Sequence, residues 1–94
     1  NKDINELVKL QEKALDYGAN FVRSGGILVY STCTLNPAEN EEQIKGFLKR
    51  NPKFKLIDAK EILPPDFTME GMFKTLPFKH DMDGAFAAKM RKTR

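Results

Sequence analysis

Cysteine and histidine are almost missing from this 94-residue chain, which has one of each, Cys33 and His80. A single cysteine excludes an internal disulfide framework and points to a reducing compartment. One Cys and one His cannot make a four-ligand metal site without recruiting acids at no recognisable spacing, so no metal is expected. No apolar run approaches the ~20 residues of a membrane span, and no charged-then-apolar leader opens the sequence. A soluble, cytoplasmic protein with no membrane partner is expected. The six glycines form neither a G-x-G-x-x-G turn nor a P-loop. Gly25-Gly26 precedes a strand, whereas phosphate-cradling glycines follow one, so no cofactor-binding loop is legible.

What is present is a globular composition, 40% apolar and 31% charged. The length suits one domain or part of one, with burial of somewhat over ~60% of the unfolded surface. Numbering opens at Asn1 without an initiator Met, and a piece of a longer chain is expected. The net charge of +3 is unevenly spread: residues 1–47 hold 5 Lys/Arg against 7 Asp/Glu, and residues 48–94 hold 11 against 6. The basic second half suits a polyanion such as RNA, although solubility alone also explains it.

Apolar residues at Ile4, Leu7, Val8, Ala14, Leu15, Phe21 and Val22 recur on one helical face, with Asp3 and Glu6 as a capping box and Gly25-Gly26 as the stop. They predict a helix over 4–23, with Gln11 on its apolar stripe bonding backbone and Gly18 allowing close packing. The continuous run Ile27-Leu28-Val29-Tyr30-Ser31-Thr32 predicts a strand covered on both faces. Asn36 as N-cap, Pro37 at the first helical position and Glu39 reaching back predict a helix over 37–50. Its inward face is Ile44, Phe47 and Leu48. A second strand is expected over 54–58, parallel to the first through a right-handed βαβ crossover. Residues 59–79, with Pro64, Pro65 and Pro77, read as a long loop with one helical turn at 61–63. A last strand is expected over 85–90, followed by a solvated basic tail.

Cys33 is the one group with nucleophilic potential. It stands at the carboxyl end of a parallel strand, where open α/β sheets place ligand crevices, yet a free cysteine is commonly just a small buried hydrophobe. His80, in Lys79-His80-Asp81-Met82-Asp83-Gly84, reads either as part of a solvated turn or as the lining of a cleft.

Four ordered pieces carry a family resemblance that spans the chain. Gly26-Ile27-Leu28-Val29-Tyr30-Ser31-Thr32-Cys33-Thr34 followed by Pro37-Ala38-Glu39-Asn40-Glu41 resembles the L-V-Y-x-T-C-S and P-x-E-N-E signature of the Fmu/Sun family of RNA cytosine-C5 methyltransferases. Leu10-Gln11-Glu12-Lys13-Ala14-Leu15 is similar to that family's L-Q-x-x-L-L helix. Leu76-Pro77, His80 and Asp83-Gly84-Ala85-Phe86-Ala87-Ala88 are similar to its P-x-x-H-x-x-D-G-F-F-x-A ending. Ala85 departs from the usual Phe and Thr34 from the usual Ser. The family's S-adenosylmethionine loop and its Asp-x-Pro-Cys strand end would lie upstream of Asn1.

The resemblance implies an α/β fold, the carboxyl-terminal portion of a Rossmann-like S-adenosylmethionine-dependent methyltransferase domain. It implies a three-stranded mixed sheet with flanking helices, in which the Phe86 strand inserts antiparallel between the other two. It implies Cys33 as the nucleophile on cytosine C6, with Thr32, Thr34 and His80 at the substrate and RNA as partner, rRNA rather than tRNA. S-adenosylmethionine would be bound by sequence outside this chain. This piece alone would be inactive, and its exposed strand edge would lead it to bind the missing half of the catalytic domain, to self-associate or to be marginally stable. A basic RNA-binding module and an interaction fragment in which Cys33 only packs are the alternatives.

Overall fold

The computed structural model describes residues 2–34, 36–61, 67–75 and 84–93. Helix α1 spans Lys2–Ala19 and leads to strand β1, Ile27–Thr32. A 3-10 turn at Pro37–Glu39 precedes α2, Glu41–Arg50, and β2, Phe54–Ile57. After a second 3-10 turn at Ala59–Glu61 come β3, Thr68–Met69, β4, Met72–Thr75, and β5, Ala85–Lys92. The described strands form one five-stranded sheet with β5 at its centre.

Strand β5 pairs antiparallel with β1 along one edge, Ile27 opposite Arg91 and Thr32 opposite Phe86. Its other edge takes β2 at Phe54–Ile57 and β4 at Phe73–Thr75. β1 and β2 therefore run parallel to each other with β5 inserted between them, as the resemblance implies. The sheet has five strands rather than three. Residues 67–75, read from sequence as loop, form the β3–β4 hairpin, whose turn residues Glu70 and Gly71 both have positive φ, 52° and 84°. That pair of left-handed residues matches the twist of the flanking strands.

Both helices pack on one face of the sheet. The core joins Leu15 and Ala19 of α1, Ile44 and Phe47 of α2, Phe54, Met72, and Phe86, Ala88 and Met90 of β5. Large side chains such as Phe47 and Phe86 contribute about 1.5–3 kcal/mol each by leaving water. The opposite face is uncovered among the described residues, and β1 alternates accordingly: Leu28 and Tyr30 pack against the core, while Ile27 and Val29 are 46% and 55% exposed. The expectation of a strand covered on both faces is therefore corrected. A shallow apolar depression of about 250 Å³ lies on this open face between Val29, Ile57, Phe73 and Ala87.

Two helix boundaries differ from the sequence reading. α1 begins at Lys2, which places Asp3 inside its first turn, and ends at Ala19 rather than at the glycines. The end is held from a distance, because Lys92 Nζ donates to the carbonyl oxygens of Val22 at 2.9 Å and Ala19 at 3.4 Å. The basic residues expected in a solvated tail thus include Arg91 and Lys92 of β5, and Lys92 caps α1. The second helix is interrupted at Asn40, which separates the 3-10 turn from α2.

Candidate active site

The segment between β1 and α2 must reverse direction within a few residues, and its polar side chains supply the bonds that a helix or strand would otherwise provide. Asn36 accepts from the amide of Ala38 at 3.0 Å, the cap expected of it, and Pro37 follows in the first helical position. The amide of Asn36 in turn donates to Thr34 Oγ1 at 3.1 Å.

Glu39 does not reach back to Asn36. It is buried, and its carboxylate accepts from Gln11 Nε2 at 3.1 Å and from Thr34 Oγ1 at 3.4 Å. Gln11 therefore bonds a side chain rather than backbone, and ties α1 to the β1–α2 turn. Tyr30 Oη donates to the Glu39 carbonyl at 2.7 Å. Burial, and after it the charge of Glu39, push the Tyr30 phenol up to about 12.

Asn40 is fully buried and makes two bonds to the turn. Its Oδ1 accepts from Thr32 Oγ1 at 2.5 Å, and its Nδ2 donates to the Thr34 carbonyl at 2.8 Å. Cys33 lies between these two anchored residues and is exposed. Within this chain it is not packed into the core. Thr32 and Thr34 stand beside it, with their hydroxyls engaged by Asn40 and Glu39. The pairing of Thr32 with Phe86 sets the start of β5 beside the Cys33 turn. His80 lies outside the described residues.

The next acid is buried as well. Glu41 Oε1 accepts from Lys74 Nζ at 2.5 Å, which bolts the first turn of α2 to β4. Sequence reasoning missed Asn40 and this pair. The available signal for Asn40 was its place in the Pro37-Ala38-Glu39-Asn40-Glu41 signature, which names the residue without a role.

No glycine-rich turn follows a strand among the described residues, and no cluster of metal-ligating side chains occurs among them. No helix among them is long and apolar enough to cross a membrane.

Residues 1–91 match the family model described as 16S rRNA methyltransferase RsmB/F. The chain is 44% identical over 92 residues to a Synechocystis protein named as a probable ribosomal RNA small subunit methyltransferase B, covering 95% of this chain and 21% of that protein. It is 36% identical over 92 residues to the ribosomal RNA small subunit methyltransferase B of Yersinia pseudotuberculosis, covering 98% of this chain and 20% of that one. The chain thus spans about a fifth of the length of these curated relatives. Among solved structures, a methyltransferase homologue from Pyrococcus horikoshii superposes with a TM-score of 0.83 at 30% identity, over 97% of this chain and 32% of its own. NSun6 from Pyrococcus horikoshii with SFG does so with a TM-score of 0.83 at 33% identity, over 100% and 24%.

Proposed function

The chain belongs to the RsmB/F family of 16S rRNA methyltransferases, and from that premise we propose that it forms part of an RNA (cytosine-5) methyltransferase acting on rRNA, with Cys33 as its nucleophile. The observation that carries this reading is an exposed thiol on a turn whose two flanking residues are tied down inside the protein.

C5 of cytosine is a poor nucleophile. Addition of the Cys33 thiolate to C6 forms an S–C6 bond and moves the ring's electron pair toward C5, which would then take up a methyl group as a sulfonium donor's S–CH3 bond breaks and the donor leaves as a neutral thioether. Loss of the C5 proton to a base returns the electrons and breaks the S–C6 bond, releasing the thiolate and the methylated base. The target base must leave any stack to meet the thiol. Thr32 and Thr34, which flank the thiol, and His80 are the proposed substrate contacts. The proposed methyl donor is S-adenosylmethionine, and a relative solved with SFG, an analogue of it, supports that choice. In this reading its binding falls to the part of the relatives that this chain does not span. The segment by itself is inactive in this reading. The sheet face and the β1 edge that are uncovered among the described residues are the surfaces on which the rest of a catalytic domain would sit, or, in its absence, a second copy.

A purely electrostatic RNA-binding role is less well supported. Lys74 and Lys92, both in the basic half, are committed to Glu41 and to the end of α1. The test challenges the full-length protein and its Cys33→Ala variant with RNA carrying 5-fluorocytosine. Fluorine cannot leave C5 as a proton does, so the wild type is expected to accumulate a covalent protein–RNA adduct and the variant none. No adduct with wild type, or as much with the variant, would refute the assignment.

A further inference from the structure

We propose that Asn40 is the positioning residue for the Cys33 thiol: one buried carboxamide grips the residue before the cysteine and the residue after it, fixing where the sulfur stands. The proposal rests on the reading of Cys33 as nucleophile.

The geometry is specific to a carboxamide. Oδ1 accepts the Thr32 hydroxyl and Nδ2 donates to the Thr34 carbonyl, so both ends of a planar group are used within a single Cys33-centred span. Among short side chains, only asparagine offers a donor and an acceptor in one rigid plane. An aspartate would keep the acceptor and lose the donor, and a leucine would lose both. The side chain is fully buried, so water does not compete for either bond.

The position also carries a cost that points to use. Asn40 is the N-cap residue of α2, where asparagine ordinarily turns its side chain onto the helix's own free amides. Here it makes no such cap bond, and both ends of its side chain bond the Cys33 turn instead. With the backbone held on both sides, the sulfur is confined to the few positions its own χ1 allows. Misplacing a reacting atom by about 1 Å can cost about 100-fold in rate.

The experiment uses the full-length protein and follows the rate of adduct formation with 5-fluorocytosine RNA at saturating RNA, alongside RNA affinity and the melting temperature. Asn40→Ala is expected to slow adduct formation about 10- to 100-fold while RNA affinity changes less than about threefold. Asn40→Asp, which keeps the bond to Thr32, is expected to fall between Asn40→Ala and wild type. Thr32→Val removes the same bond from the other side. It should slow the reaction by itself and add little to Asn40→Ala, because both act through one clamp. If Asn40→Ala does not fold, Asn40→Asp decides the matter. An adduct rate within twofold of wild type in the folded variants, or a loss expressed only in RNA affinity, would overturn the role of Asn40 and leave Cys33 as nucleophile. Absence of adduct in the wild type would instead overturn the nucleophile, and the clamp's catalytic role with it.

Discussion

Replacing Lys74 by methionine removes one partner of the Lys74–Glu41 pair, and the expected cost is large because neither partner has water to fall back on. Their side chains are 10% and 8% exposed, and Nζ lies 2.5 Å from Oε1. Deleting the ammonium strands a buried carboxylate, a change that costs about 3–5 kcal/mol. A chain of this size has a total stability on the order of 5–14 kcal/mol, so Lys74→Met removes a large fraction of it. With each kcal/mol worth about 4–8 °C in a domain this small, the melting temperature should fall by at least about 12 °C. Replacing both partners, Glu41→Met with Lys74→Met, removes the stranded charge along with the pair. The double variant should recover most of the loss, short of about 0.3–1 kcal/mol for the acid lost from the first turn of α2. Urea unfolding followed by circular dichroism measures all four corners of the cycle. Near-additive single effects, or a Lys74→Met cost below about 1 kcal/mol, would refute the argument. The coupling should also survive 1 M salt, which screens only exposed pairs efficiently.

Two further outcomes follow from local geometry. Gly71 sits at φ 84°, and a Cβ built there would come within 2.9 Å of Leu56 Cδ2, so Gly71→Ala should destabilise by about 1–2 kcal/mol in the same unfolding assay. Tyr30 holds its proton to about 12 when folded against 10.0 ordinarily, so the folded state binds the proton more tightly than the unfolded one. The stability this confers is complete below pH 10 and drains away as pH rises from 10 to 12. In a Tyr17→Phe background, phenolate absorbance should place the remaining tyrosine near 12, and Tyr30→Phe should flatten the alkaline loss of stability.

Much of the frame was legible because it rests on local signals. The β1 run and the Asn36-Pro37 start follow from side-chain shape and backbone restriction. The placement of β5 between β1 and β2 came from the resemblance rather than from any pattern in residues 85–92. The β3–β4 hairpin was missed because its turn is Glu70-Gly71, not Asn-Gly or Asp-Gly, and its strands are only two and four residues long. The open sheet face was missed because apolarity on both sides of β1 shows which faces could be covered, not which are. Buried polar partners far apart in sequence leave no periodic trace. Lys74 and Glu41 are 33 residues apart, and Gln11 and Glu39 are 28 apart. At the site, the motif singles out Cys33 as the proposed nucleophile and includes Asn40 without a role, whereas the two bonds of Asn40 to the Cys33 turn emerge only when the fold brings a helix start back onto the strand end.

The most direct measurement digests the trapped 5-fluorocytosine RNA complex of the full-length protein and locates the nucleotide by peptide mass spectrometry. The account predicts the pyrimidine mass on the sulfur of Cys33 and on no other side chain. A nucleotide mapped to any other residue, with Cys33 recovered as a free thiol, would contradict it.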